Sequence, residues 1–206
     1  MKAIVDVADT WNTYVLAHIF TDKATQTAIR AGIKSIEHGF LMSEETLKLM
    51  KEKDVWLSMQ PLLNDEDAFT FDDPYSTQKW LQVTDGTDQI YRLAKKIGVK
   101  LAFGTDMLFD PATAEKQGKF LAKLQAWFTP YEILKMATST NAELLALSGP
   151  RNPYKDGPLG VVANGAYADL VLVEGNPLED ISLIADPHKN FVVIMKDGRV
   201  YKNSLQ

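Results

Sequence analysis

Short apolar stretches alternate with helix-forming stretches through the first third of the chain. An apolar stretch at 14–17 precedes a helical stretch at 23–31, which Gly32 closes as a stop signal. The same order returns with a strand at 33–37 and with a helix that opens at 43–45 and runs through residue 53. Strands that alternate with helices predict a parallel sheet covered by helices, so the fold class is α/β.

Two further strands are predicted at 55–59 and 99–103, and a long acidic insertion separates them. A helix is predicted from about Thr87 to Ile97, with Gly98 as its end. Insertions of this kind usually lie on the functional rim of α/β proteins. The insertion is therefore either a solvated rim or a binding surface, and the same choice holds for its aromatic residues, which either anchor the loop or line a pocket: Phe69, Phe71, Tyr75 and Trp80.

Helix signals are strong in the stretch that follows the fourth predicted strand. Thr129 and Glu132 have the spacing of a capping box, with a proline at the first helical position. Thr140 and Glu143 repeat that spacing, so two adjoining helices are predicted to end near Leu147.

After Gly157 the composition of the chain changes and becomes rich in β-forming residues. Asp197-Gly198 is a strong hairpin signal. We therefore expect a half barrel over residues 1–150 and a small β-sandwich module over residues 151–206. The β-forming stretches of this module are 159–162, 168–173 and 191–195.

Composition narrows the classes of partner. The 206 residues carry a net charge of −5 and a pI near 5.2, which excludes the basic surface typical of nucleic-acid binding. No apolar run approaches the length of a membrane span, and the opening residues lack the apolar core of a signal peptide. We expect a soluble protein without a membrane partner, cytoplasmic by default. Because the chain has no cysteine, any metal must be held by nitrogen and oxygen ligands.

Three residues of metal-ligating type follow predicted strands. His18 and His38 come directly after the first two strands, and Asp106 has the equivalent place after the fourth. Parallel sheets concentrate function at the carboxyl ends of their strands. Each residue alone has a plain structural interpretation, as a buried or rim histidine or as a turn-capping aspartate. The three together favour a metal site.

Several motifs resemble those of the amidohydrolase superfamily, in the branch of imidazolonepropionase-like enzymes and Xaa-Pro dipeptidases. Residues 17–24, with the sequence AHIFTDKA, resemble the motif of the fifth barrel strand. Ser35-Ile36-Glu37-His38-Gly39 resembles that of the sixth strand, and Phe103-Gly104-Thr105-Asp106 that of the eighth. The run from Met136 to Glu143 and the stretch 165–171 are similar to the C-terminal signature of the family.

The resemblance implies the C-terminal half, strands five to eight, of a (β/α)₈ metal-dependent hydrolase barrel. It implies that His18 and His38 are metal ligands and that Asp106 is both a ligand and the general base. The implied cofactor is a divalent metal, zinc above all. The implied reaction is hydrolysis of an amide or cyclic amide bond in a small-molecule or dipeptide-like substrate.

The chain departs from the family pattern at its start. It has no His-x-His motif, which family members bring from the first strand, and the family's fourth-strand lysine is also outside it. His188 is expected to be a surface residue. We therefore expect either a complementing N-terminal half or self-association as a dimer. Two other interpretations stay open: a catalytically inactive α/β fragment, and a binding module that uses the acidic loop.

Overall fold

The computed structural model describes residues 1–107 and 111–205. Within it the chain forms two compact units, Met1–Gly104 and Thr105–Gln206. This boundary lies earlier in the chain than the predicted domain boundary at residue 150, which stays a prediction. No helix in the described ranges is long and apolar enough to cross a membrane.

The first unit is a parallel sheet whose strands are connected by helices. The sheet order is β1-β2-β3-β4, so each strand lies beside the next strand in the sequence, as the alternating pattern predicts. Its elements are α1 Lys2–Thr10, β1 Leu16–Thr21, α2 Asp22–Ala31, β2 Ser35–Leu41, α3 Glu44–Glu52, β3 Trp56–Met59, α4 Pro74–Ile97 and β4 Leu101–Phe103.

The first turns of α2 and α3 are joined through one carboxylate. Ser43 caps α3, because its hydroxyl accepts a hydrogen bond from the Thr46 amide at 3.3 Å. Asp22, at the start of α2, accepts hydrogen bonds from the Ser43 amide at 2.7 Å and from the Ser43 hydroxyl at 3.0 Å. Burial alone would raise the pKa of Asp22, but hydrogen bonds from Ser43 and Thr46 outweigh it and hold the pKa below its ordinary value.

Helix α4 is longer than the sequence pattern indicates, and the predicted start near Thr87 is wrong. It begins at Pro74, where the Asp73 carboxylate accepts a hydrogen bond from the Ser76 amide at 2.8 Å. Gly86 lies inside this helix rather than at a turn. A Cβ at Gly86 would be 2.2 Å from the Phe40 carbonyl oxygen, so this glycine permits close packing of α4 on β2.

The aromatic residues of the insertion contact one another. The Phe69 and Phe71 rings lie 5.1 and 6.2 Å from the Trp80 ring of α4, measured between ring centroids. Tyr75 is exposed and its ring lies under the Lys79 ammonium group. These contacts favour the interpretation of the aromatic residues as an anchor for the loop.

The second unit combines helices with a three-stranded antiparallel sheet of order β5-β6-β7. The predicted hairpin turn is confirmed, since Asp197 and Gly198 both have positive φ, 51° and 73°, between β6 and β7. Its helices and strands are α5 Pro111–Ala114, α6 Gln117–Lys123, α7 Pro130–Lys135, α8 Asn141–Ala146, β5 Leu170–Val173, α9 Pro187–Asn190, β6 Phe191–Lys196 and β7 Arg199–Asn203.

Two predictions within the second unit are wrong. Thr129 and Glu132 do form a capping box at α7, but Thr140 has helical angles and caps nothing with its side chain. A π-helical turn, Met136–Thr140, instead connects α7 to α8 without a break. The predicted strand at 159–162 is absent, because Gly160 has a φ of 74°, which lies outside the β region.

Candidate functional site

The structure brings His18 and His38 together on neighbouring strands. In the register of β1 and β2, His38 pairs with Ile19, the residue after His18. The two imidazole ring centroids are 4.3 Å apart, and the ring planes are inclined at 70°. His18 is exposed, whereas His38 is buried. Two imidazole rings that are remote in sequence therefore lie side by side.

Both histidines lie inside their strands rather than after them, which corrects the sequence-based placement. β1 continues through Thr21 and β2 through Leu41. The reason is local: Ile19, Phe20 and Phe40 are β-branched or aromatic residues, which favour extended backbone. The strand pairing continues past both histidines, with an irregularity between Ile19 and Thr21.

The backbone of β2 is unusual at His38. Its φ is 80°, and Gly39 follows with a φ of 66°. Few residues other than glycine adopt positive φ, and such conformations cost about 1–3 kcal/mol and concentrate at functional sites. The left-handed pair coincides with the break in the register between β1 and β2.

Aromatic rings enclose the His38 imidazole. The Phe20 ring stacks on it, with centroids 4.9 Å apart and an angle of 9° between the planes. The Phe20 ring also meets the His18 ring edge-on at 5.1 Å. These contacts restrict the orientations of both imidazoles.

Gln60, at the end of the third strand β3, contacts His38. It follows β3 directly, and its Oε1 lies 2.8 Å from Nδ1 of His38. Both side chains are buried, with 3% of Gln60 and 6% of His38 exposed. Gln60 is not among the site residues predicted from the sequence. The rule that selected the histidines and Asp106 also applies to it, since it comes immediately after a predicted strand.

An acidic side chain lies on the strand next to His18. Glu37 pairs in register with His18, and it accepts a hydrogen bond from the Ser35 hydroxyl at 2.6 Å. Burial first, and the nearby Glu37 charge second, raise the pKa of the Tyr14 phenol. Glu37 is therefore a backbone neighbour of His18, but its carboxylate does not form a group of three with the two histidines.

Asp106 and His188 belong to the second unit. Asp106 follows β4, is exposed, and has a positive φ of 54°. His188 is exposed in α9, as expected. Across residues 1–107 and 111–205, no three or more His, Cys, Asp or Glu side chains are grouped as a metal site requires. Within these ranges His18 and His38 therefore form a pair without a third side chain of metal-ligating type grouped with them.

Comparison with known proteins identifies the family. The sequence profile of the amidohydrolase family matches residues 1–202. The chain belongs to this family. Among curated proteins it is similar to an ochratoxinase of Aspergillus niger, with 32% identity over 206 residues. That match covers 98% of this chain and 41% of the ochratoxinase.

Solved structures of a prolidase and of a Xaa-Pro dipeptidase have the same fold over this chain. A prolidase in complex with N-methylphosphonate-L-proline superposes with a TM-score of 0.85 and 33% identity, over 98% of this chain and 48% of the prolidase. A Xaa-Pro dipeptidase with bound methionine superposes with a TM-score of 0.80 and 29% identity, over 98% of this chain and 48% of the dipeptidase. The chain therefore spans about half the length of these relatives.

Proposed function

We propose that this chain carries part of the active site of a metal-dependent amidohydrolase that cleaves a C–N bond in a dipeptide-like substrate. The observation that carries the proposal is the His18–His38 pair, with its rings 4.3 Å apart, in a chain of the amidohydrolase family. Prolidase, Xaa-Pro dipeptidase and ochratoxinase relatives support the substrate class.

The donor chemistry of the pair fits a divalent metal, and zinc is the ion we propose. Zinc binds imidazole nitrogen, and the hydrogen bond from His38 to Gln60 is of the kind that orients metal-ligating histidines. His18 and His38 would hold the ion together with ligands from the part of the relatives that this chain does not span. When bound, the ion supplies a Lewis acid that polarises the substrate carbonyl and acidifies water to a pKa of about 7.

Asp106 is proposed as a further ligand and as the general base. This assignment rests on its place in the motif Phe103-Gly104-Thr105-Asp106. The carboxylate would take a proton from the attacking water and pass it to the leaving nitrogen. Substitution by Asn keeps the shape of the side chain and removes the proton acceptor.

The proposal also includes the position of the chain within the enzyme. We assign β1 to β4 to strands five to eight of a (β/α)₈ barrel, and the second sheet to the C-terminal module of the family. A polypeptide with the first four strands, or a second copy of this chain, would then complete the protein. Sedimentation velocity at micromolar concentration tests this: we expect an oligomer, and a stable monomer would contradict self-association.

Zinc titration of the purified chain tests the metal site. We expect His18→Ala and His38→Asn each to weaken zinc binding about 10-fold or more, since each removes a ligand. Asn is chosen at position 38 because it tolerates positive φ. His188→Ala is the matched control, because His188 is exposed in the other unit. Equal zinc affinity in all three variants would refute the site.

Turnover of the completed enzyme tests the base. We expect Asp106→Asn to lower kcat for a dipeptide substrate by about 10²-fold or more. Asp156→Asn is a suitable control, because it makes the same change at an exposed aspartate outside the motif. Near-normal turnover of Asp106→Asn would assign the base to another residue.

A further inference from the structure

We infer that Gln60 is a positioning residue for His38, which fixes the imidazole in the tautomer that carries its proton on Nδ1 and leaves the lone pair on Nε2. The observation is the 2.8 Å contact between Gln60 Oε1 and His38 Nδ1. As a statement about metal binding, the inference rests on the proposed function. As a statement about the tautomer, it stands on the contact alone.

The hydrogen-bonding capacity of the two groups determines the tautomer. An amide oxygen only accepts hydrogen bonds, so the nitrogen that contacts it must be the one with the proton. A neutral imidazole has one N–H, and therefore Nε2 of His38 has the lone pair that a metal ion requires. The opposite tautomer would direct two lone pairs at each other across 2.8 Å.

Burial of both side chains strengthens the preference for the Nδ1–H tautomer of His38. His38 and Gln60 are only 6% and 3% exposed, so water is a poor substitute for either partner. The amide nitrogen of Gln60 lies on the side of Gly104, where an added Cβ would be 3.6 Å from it. The Gln60 amide therefore lies between His38 and Gly104, with its oxygen toward His38 and its nitrogen toward Gly104.

The ring orientation is fixed from a second direction. Phe20 stacks on the His38 imidazole with an angle of 9° between the planes, which limits rotation out of that plane. Stacking alone permits two orientations related by a half-turn flip about the Cβ–Cγ bond, and Gln60 selects one of them, because the flipped ring would present carbon rather than Nδ1 to the amide oxygen. The two contacts together leave one ring orientation and one tautomer.

The variants separate the acceptor from the shape of the side chain. Gln60→Met keeps the length of the side chain and removes the acceptor. Gln60→Glu restores an acceptor oxygen at the same place and serves as the rescue. Ser58→Ala is the matched control, because Ser58 is a buried polar residue of β3, two positions before Gln60.

The first measurement is the tautomer of His38 in the metal-free chain, by nitrogen–proton NMR correlation of its imidazole. The chain has only three histidines, so assignment is simple. The pH is set about two units above the ordinary histidine pKa of about 6.5. We expect the Nδ1–H tautomer in the parent chain, in Gln60→Glu and in Ser58→Ala, and a mixture of tautomers in Gln60→Met.

The second measurement is zinc affinity. We expect Gln60→Met to weaken zinc binding about 10- to 100-fold, whereas Gln60→Glu and Ser58→Ala stay near the parent value. An Nε2–H tautomer in the parent chain, or an unchanged tautomer in Gln60→Met, overturns the inference. If the parent chain binds no zinc while the tautomers follow the expected pattern, the proposed metal site fails and the positioning role of Gln60 stands.

Discussion

The parallel sheet of the first unit and the antiparallel sheet of the second bury their strand residues very differently. Every residue of β3 is buried, and Leu57 is 0% exposed. In contrast, Leu172 of β5 is 50% exposed, and its neighbours Leu170 and Val171 are also exposed. β5 is an edge strand with apolar side chains uncovered on both of its faces. In the unit that carries the histidine pair, β3 is therefore fully covered, whereas β5 of the second sheet leaves most of its apolar side chains exposed.

The largest effect that tests this comparison comes from the same substitution in both sheets. Leu57→Ala should lower the free energy of unfolding by about 2–5 kcal/mol, because it leaves a cavity in a fully buried position. Leu172→Ala should change it by less than about 1 kcal/mol, because the side chain is already half exposed. Urea denaturation of the two variants measures the difference. Equal losses would mean that β5 is covered in solution.

A smaller effect is expected where α4 packs on β2. Gly86→Ala should destabilise the chain by about 1–3 kcal/mol, because its Cβ would overlap the Phe40 carbonyl oxygen at 2.2 Å. This prediction opposes helix propensity, which favours Ala over Gly by about 1 kcal/mol. Gln78→Ala, at an exposed position of α4, is the control and should be nearly neutral. A more stable Gly86→Ala variant would show that the two elements are farther apart.

The smallest effect concerns the carboxylate that joins α2 to α3. Asp22→Ala should cost about 0.5–1.5 kcal/mol at neutral pH, because the half-buried Ser43 amide and hydroxyl lose their acceptor. The folded pKa of Asp22 is lowered, so this contribution is present above the ordinary aspartate pKa of about 3.9 and is lost as the pH falls through the folded value.

The test measures the difference in the free energy of unfolding between the parent chain and Asp22→Ala. This difference is followed from neutral pH into acid, well below the ordinary aspartate pKa of about 3.9. Asp88→Ala is the control, since Asp88 pairs with Arg92 on an exposed helix face and such pairs contribute little. A difference between parent and Asp22→Ala that persists unchanged in acid would show that the carboxylate charge is not involved.

The strand–helix alternation and the proximity of His18 to His38 could be predicted from sequence. Apolar periodicity defines the elements, and the parallel order places consecutive strand ends together. The start of α4 could not be predicted from sequence. Glycine usually indicates a turn, but Gly86 lies inside the helix and permits its close packing on β2. The positive φ of His38 could not be predicted either, because it depends on the register between β1 and β2. Gln60 was missed because an amide is rarely considered beside histidine and aspartate.

The hydrogen bonds between Asp22 and Ser43 have a consequence for motion. Helix α2 begins directly after β1, and α3 begins shortly after β2. The Asp22 carboxylate joins the starts of these two helices through its hydrogen bonds with Ser43. Separation of the two helix starts must break both hydrogen bonds, so the bonds couple the opening of one segment to that of the other. The protection of the Ser43 amide against hydrogen exchange therefore measures the free energy of opening at this junction.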